Sequence, residues 1–236
     1  MQPSRISLPQ GLMEALFVVR RNRFVAEVEI SGQRELAHVP SSGRMTELLF
    51  SGARVFIAPQ EKPGVKLKYK ILLAEEQGVL VSVDSLLPNR LVRQALLANT
   101  LPELSGYERV KPEAPFGQGR FDFFLQDRDG SGCYLEVKSV TLVREGVAIF
   151  PDAPSERGVR HMVELAAARR EGFRAVVLFV IQRTDACCFE PNWDTDGQFS
   201  HALSQAAVGG VEVLARRCRV SLREVVLDRQ VPVRLG

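Results

Sequence analysis

The 236-residue sequence predicts a mixed α/β chain: an N-terminal OB-like small β-barrel over residues 1–84, then a C-terminal α/β domain over residues 85–236. Three observations predict it. The first eighty-odd residues hold short β-branched and apolar segments with no long helical period. Helical spacing begins only at Pro88, after which Leu91, Val92, Ala95 and Leu96 recur on one face. The run Ala175–Ile181 is apolar throughout, as a central strand covered on both faces requires.

In the first domain Ala15–Arg20 and Arg23–Ile30 read as strands. In the second of these, Phe24, Ala26, Val28 and Ile30 alternate against Val25, Glu27 and Glu29. Ser31-Gly32 turns the chain into Arg34–Val39. A loop at Pro40–Gly43, a helical turn at Met45–Phe50 and a strand at Arg54–Ala58 follow. Lys66–Ala74 and Val79–Val83 form a hairpin across Glu75–Gly78. In the second domain a helix runs from Pro88 through Ala98, and Tyr107–Lys111, Arg120–Leu125 and Cys133–Leu142 are strands. Ser155 caps a helix that reaches Glu171 and stops at Gly172. Beyond the Ala175–Ile181 strand come a helix over Gly197–Ala207 and a strand over Val211–Ala215.

Composition excludes several classes. With 45% hydrophobic and 25% charged residues the chain builds an ordinary core without help from a metal or disulfide. It has no apolar run near the ~20 residues that a membrane-spanning helix needs. Met1–Arg5 leads into no secretory apolar segment. Cys133, Cys187, Cys188 and Cys218 contain no C-x-x-C pair, and the three histidines are scattered, so a reduced cytoplasm is the expected compartment.

Charge is uneven along the chain. Residues 1–100 carry 13 Lys and Arg against 9 Asp and Glu, whereas residues 101–236 carry 18 against 19. The four lysines of the first hundred residues, Lys62, Lys66, Lys68 and Lys70, surround Tyr69. Such a cluster contacts phosphates while the ring stacks on a base. Lysines also blunt exposed strand edges, and charge alone leaves both readings open.

Chemistry concentrates in Gly119–Leu125 and Cys133–Lys138. Read as a hairpin, the second strand puts Glu136 and Lys138 on one face and turns Leu135 and Val137 into the core. Asp122, set among phenylalanines on the partner strand, is costly without a partner. Two carboxylates with a lysine two residues on make a site for a hard cation such as Mg²⁺ or Mn²⁺. Lys138 would then orient or deprotonate an attacking water beside a scissile phosphate. This D-…-E-x-K order is the signature of PD-(D/E)xK nucleases, and an ion-pair network on a hairpin is the competing reading. Arg157 and His161, four apart on the following helix, share a face from which they would clamp phosphate oxygens. Gly43-Arg44 offers backbone N–H groups and a guanidinium for the same purpose.

Several ordered runs together resemble the sugar fermentation stimulation protein A family. They are His38–Met45, Pro88-Asn89-Arg90-Leu91-Val92, Arg120-Phe121-Asp122-Phe123, Tyr134–Leu142, Phe150–Gly158 with His161, and Ala175–Arg183. The resemblance implies an OB-like domain, a nuclease-like domain, DNA binding and a role in regulating sugar (maltose) metabolism. Two departures stand out. Val39-Pro40-Ser41-Ser42 replaces the family's Cys-Pro-Asn-Thr, and Gln94 stands where an acidic residue, a third metal contact, is expected. Two functions follow: a DNA-binding regulator, or a divalent-metal-dependent nuclease acting on DNA or RNA through Asp122, Glu136 and Lys138. A small-molecule sugar enzyme lacks a Gly-rich nucleotide loop and a nucleophile–base pair.

Overall fold

The structure is a computed structural model that describes residues 3–60 and 67–236. The chain opens with β1 (Arg5–Ser7), which lies outside the barrel and pairs with the C-terminal sheet. The barrel is built from β2 (Met13–Asn22), β3 (Val25–Ile30), β4 (Gln33–His38), β5 (Arg54–Pro59), β6 (Tyr69–Glu76) and β7 (Val79–Ser82). Their order is β4-β3-β2-β5-β6-β7, and a parallel contact of β4 with β6 closes five of them into a barrel. Closure leaves the inward residues Ala15, Phe17, Ala26, Val28, Val55, Ile57 and Ile71 around one apolar centre. The 45–50 segment makes the expected helical turn, with Leu48 N and Leu49 N donating to Met45 O.

The second body begins with α1 (Leu87–Leu97), whose first turn accommodates Pro88 because N-terminal N–H groups have no helical acceptor. Next come β8 (Arg109–Phe116), β9 (Gly119–Gln126), β10 (Gly132–Val140), β11 (Val143–Arg144), β12 (Val147–Phe150), α2 (Glu156–Arg170), β13 (Arg174–Ile181), β14 (Cys188–Pro191), α3 (Gly197–Val208), β15 (Glu212–Val220) and β16 (Glu224–Gln230). Seven strands form a mixed sheet in the order β1-β16-β15-β13-β10-β9-β8. β13 lies parallel between β10 and β15 and is buried along almost its whole length, as its unbroken apolar run requires. One sheet face packs under α1 through Leu91, Val92, Leu135 and Leu178. The other packs under α2 and α3 through Met162, Leu165, Phe179 and Phe199. Ser155 caps α2 by accepting from Gly158 N, and Gly172 takes the positive φ of +94° that follows the last turn.

Sequence periodicity missed five strands: β1, β11, β12, β14 and β16. The first four have two to four residues, too few for an alternation to register. β8 also extends past the expected Lys111 to Phe116 through two prolines, at positions where edge-strand N–H groups are not needed.

The two bodies meet through Phe56, Ala58, Leu72 and Leu73 of the barrel, against which Leu8 and Val220 pack. Ser82 N donates to Gln182 O across the same junction. Arg183, 3% exposed, fastens it further: Nη1 reaches Glu76 Oε2 at 2.6 Å, and Nε and Nη2 grip Asp185. A buried guanidinium satisfied on both forks ties the barrel to the sheet.

Candidate active site

A cleft of about 490 Å³ opens between the 41–45 loop of the barrel and the stretch of β9 and β10 that carries Asp122 and Glu136. The antiparallel register of β9 and β10 runs from Gln126 opposite Gly132 to Phe123 opposite Leu135. One position further, the ladder gives way to a side chain: Val137 N donates to Asp122 Oδ2 at 2.8 Å. Asp122 Oδ1 accepts from Asn89 Nδ2 at 2.7 Å. Burial, and next the charge of Glu136, push the Asp122 carboxyl up to about 6.

Glu136 is 3% exposed. Its Oε1 accepts from Lys138 Nζ at 2.8 Å and from His161 Nδ1. Burial disfavours its charge, but the His161 hydrogen bond and the Lys138 ammonium outweigh that and hold it below the usual glutamate range. Its Oε2 is buried and has no hydrogen-bond partner. An orphaned carboxylate oxygen is expensive unless something cationic joins it.

His161 sits behind this group rather than in front of it. Arg157 Nε donates to His161 Nε2 at 3.3 Å, which makes Nε2 the acceptor and assigns the ring proton to Nδ1. The ring is 3% exposed with both nitrogens engaged, so the expected phosphate clamp by His161 is corrected: it orients Glu136 instead. Arg157 is exposed and lines the cleft.

The lysine cluster also needs correction. Lys70 is tied to Asp84 at 2.6 Å, and the Tyr69 ring packs against the barrel core, so neither is free for a phosphate or a base. Lys68 is exposed, Arg44 is exposed on the loop between the cleft-lining Gly43 and Met45, and Lys62 and Lys66 lie outside the described residues. Gln94 is not at the site. Its Oε1 accepts from Ser4 Oγ and Arg5 N and pins the first strand. The residue that α1 sends to the carboxylates is Asn89, which periodicity missed because one polar residue in a helix's first turn carries no pattern. Its signal was its place in the Pro88–Val92 run.

Among the described residues no group of three or more His, Cys, Asp or Glu side chains is placed to hold a metal. The donors are two carboxylates, a set that suits a hard cation which keeps most of its waters. The exposed Cys187 and the buried Cys133, Cys188 and Cys218 are all free thiols. No helix among the described residues is long and apolar enough to cross a membrane.

Two family models divide the chain: one described as the SfsA N-terminal OB domain matches residues 18–83, and one described as the sugar fermentation stimulation protein RE domain matches residues 86–224. The chain belongs to the sugar fermentation stimulation protein family. A homolog from Desulforamulus reducens is 53% identical over 98% of this chain and 95% of its own length. One from Moorella thermoacetica is 44% identical over 98% and 100%. The structure of Pyrococcus furiosus SfsA in complex with Ca²⁺ superposes with a TM-score of 0.89 at 29% identity, covering 99% of both chains. The Pyrococcus furiosus relative thus shares the whole two-body arrangement, barrel and α/β body together.

Proposed function

We propose that this chain is a divalent-metal-dependent phosphodiesterase acting on DNA or RNA. The observation that carries the reading is the buried, unpartnered Glu136 Oε2 beside a second carboxyl, Asp122, held near pH 6, with the Lys138 ammonium on the same wall. These residues fit a hard cation: it would satisfy the orphaned oxygen and relieve the repulsion between the two acids. The Ca²⁺ in the Pyrococcus furiosus relative supports the fit, and Mg²⁺ or Mn²⁺ is the proposed working ion. When bound, such an ion polarises the phosphodiester and acidifies a coordinated water. Asp122 and Glu136 hold it. Lys138 Nζ, anchored on Glu136 Oε1, orients the attacking water and stabilises charge on the phosphate. Arg157 at the cleft wall takes a non-bridging phosphate oxygen. The test is incubation of labelled single- and double-stranded DNA and RNA with Mg²⁺ or Mn²⁺, beside Glu136→Gln. Cleavage by wild type that Glu136→Gln loses supports the reading, and cleavage retained in the variant refutes it.

His161 gives a separate check through metal affinity. Outer partners of metal-holding groups are commonly worth about 10–100-fold in affinity. His161→Leu should therefore weaken Ca²⁺ binding by about that factor in calorimetric titration, and His161→Asn, whose amide can replace Nδ1–H, should recover part of it. Equal affinities in all three proteins would reduce the histidine to a space filler.

A second reading is binding without turnover. It is favoured by the three carboxylate oxygens of the pair that already accept hydrogen bonds from the chain itself. Regulation of sugar metabolism, including maltose, would act through such DNA binding, and the same incubation separates the two by showing retention without cleavage.

A further inference from the structure

One guanidinium joins the first turn of the barrel to the cleft. Arg20 Nη1 donates to Gly43 O at 2.6 Å and Arg44 O at 2.8 Å, while Nη2 donates to Arg23 O at 2.7 Å and Ser41 O at 2.8 Å. Four carbonyls on one side chain lock the β2–β3 turn to the 41–45 loop. That loop is pressed onto the nuclease-like body: Met45 N donates to Asp152 Oδ2 at 3.1 Å. A Cβ at Gly43 would stand only 3.0 Å from the same oxygen, so glycine permits the approach. The turn is itself rigid, with Phe24 N donating to Asn22 Oδ1 and Phe24 O accepting from Val39 N.

On this fixed turn the Phe24 ring is 48% exposed. Arg23, the preceding residue, and Arg44, whose carbonyl shares Arg20 with that of Arg23, are both exposed and have no acidic partner among the described residues. A single exposed apolar residue is commonplace. One on a turn that Arg20 ties to the cleft-lining Ser41 and Gly43, with two exposed arginines on the same tied segments, is not.

We propose that Phe24, Arg23 and Arg44 form a platform for a single-stranded polynucleotide, which runs from there into the Asp122/Glu136 cleft. The proposal rests on the nucleic-acid reading of that cleft and narrows its substrate to an unpaired strand. Stacking on a ring needs a base whose π-face is open, which a duplex hides. The loop joining the first two strands of an OB barrel is one of the places where such barrels hold oligonucleotides. A cleft of about 490 Å³ is the size that takes a small-molecule-sized group rather than a double helix. Charge complementarity selects the polyanion over an apolar partner.

The test is fluorescence anisotropy of the full chain in EDTA, with a labelled mixed-sequence DNA strand, its RNA counterpart and the matched duplex. The single strands should bind more tightly than the duplex, the two strand types reporting whether the 2′-hydroxyl matters. Phe24→Ala should weaken single-strand binding by about tenfold and leave the duplex unchanged, with Phe24→Trp restoring it. Arg44→Ala should lower the slope of log affinity against log salt by about 1. Tighter binding of the duplex, or single-strand affinity unaffected by Phe24→Ala, overturns the platform. Because binding is read without metal, a failure to cleave in the incubation above leaves this result standing, and the two ideas fail separately.

Discussion

Lys138→Met should cut metal-dependent cleavage by about 10²–10³-fold, the usual worth of a group placed to stabilise charge developing in the transition state, while leaving nucleic-acid binding nearly intact. The reasoning is geometric. Lys138 projects from the same face of β10 as Glu136, its side chain is 11% exposed, and Nζ sits 2.8 Å from Glu136 Oε1 at the cleft wall. Methionine keeps the aliphatic stem and its packing and removes only the charge and the three donors. Glu136 keeps its His161 hydrogen bond, so the carboxylate is not abandoned. Turnover assays at saturating metal, with anisotropy for binding and thermal melts for folding, read the three quantities separately. Lys138→Arg adds a second discrimination: a guanidinium restores charge but cannot release a proton at any accessible pH. Partial recovery would mean that charge alone matters. Equal cleavage by wild type and Lys138→Met would trace the activity to a contaminant.

Asp122→Asn should stabilise the metal-free protein by about 3 kcal/mol at neutral pH and abolish its stabilisation by metal. Burial and the neighbouring Glu136 raise the carboxyl from an ordinary value of 3.8 to about 6. Below about pH 3 the folded and unfolded chains both hold this proton, and the residue is neutral to stability. As pH rises from about 3 to 6 only the unfolded chain releases it, so folding is progressively disfavoured. Above about 6 the penalty is complete, at 1.36 kcal/mol for each pH unit separating the two values. The amide carries no charge to penalise, and both existing contacts survive: its oxygen accepts from Val137 N and its NH₂ donates to Asn89 once that amide turns over. Denaturant unfolding at pH 3 and pH 7.5 should therefore show near-equal stabilities at the lower pH and a stabler variant at the higher. Millimolar Ca²⁺ or Mg²⁺ should invert that order at pH 7.5, because ligand binding raises wild-type stability by RT ln(1 + [L]/Kd). A variant no stabler than wild type at pH 7.5 would show that the carboxylate is well solvated and that the two acids do not repel.

The sequence by itself determined the elements that have a period. The α1 spacing of Leu91, Val92, Ala95 and Leu96 and the unbroken Ala175–Ile181 run bury the face their pattern marks, and Ser155 caps its helix. The Phe24–Ile30 alternation holds at Ala26 and Val28 only: Phe24 lies in the turn before β3, 48% exposed, and Glu27 on the other face is buried. Two-fold alternation also placed Glu136 and Lys138 on one side of β10, because successive side chains of a strand must point to opposite faces. Only the tertiary structure decided which solitary polar residues meet there. Asn89 reaches Asp122 from a helix 33 residues upstream, and His161 reaches Glu136 from one 25 residues downstream. Neither distance leaves a local trace. The same physics turned Lys70 away from nucleic acid: Asp84, brought alongside by the β6–β7 hairpin, is a nearer and better-desolvated anion than any phosphate. Local sequence fixes which way a side chain points along its own element. What that side chain touches is set by long-range packing, where burying a charge demands a partner from elsewhere in the fold.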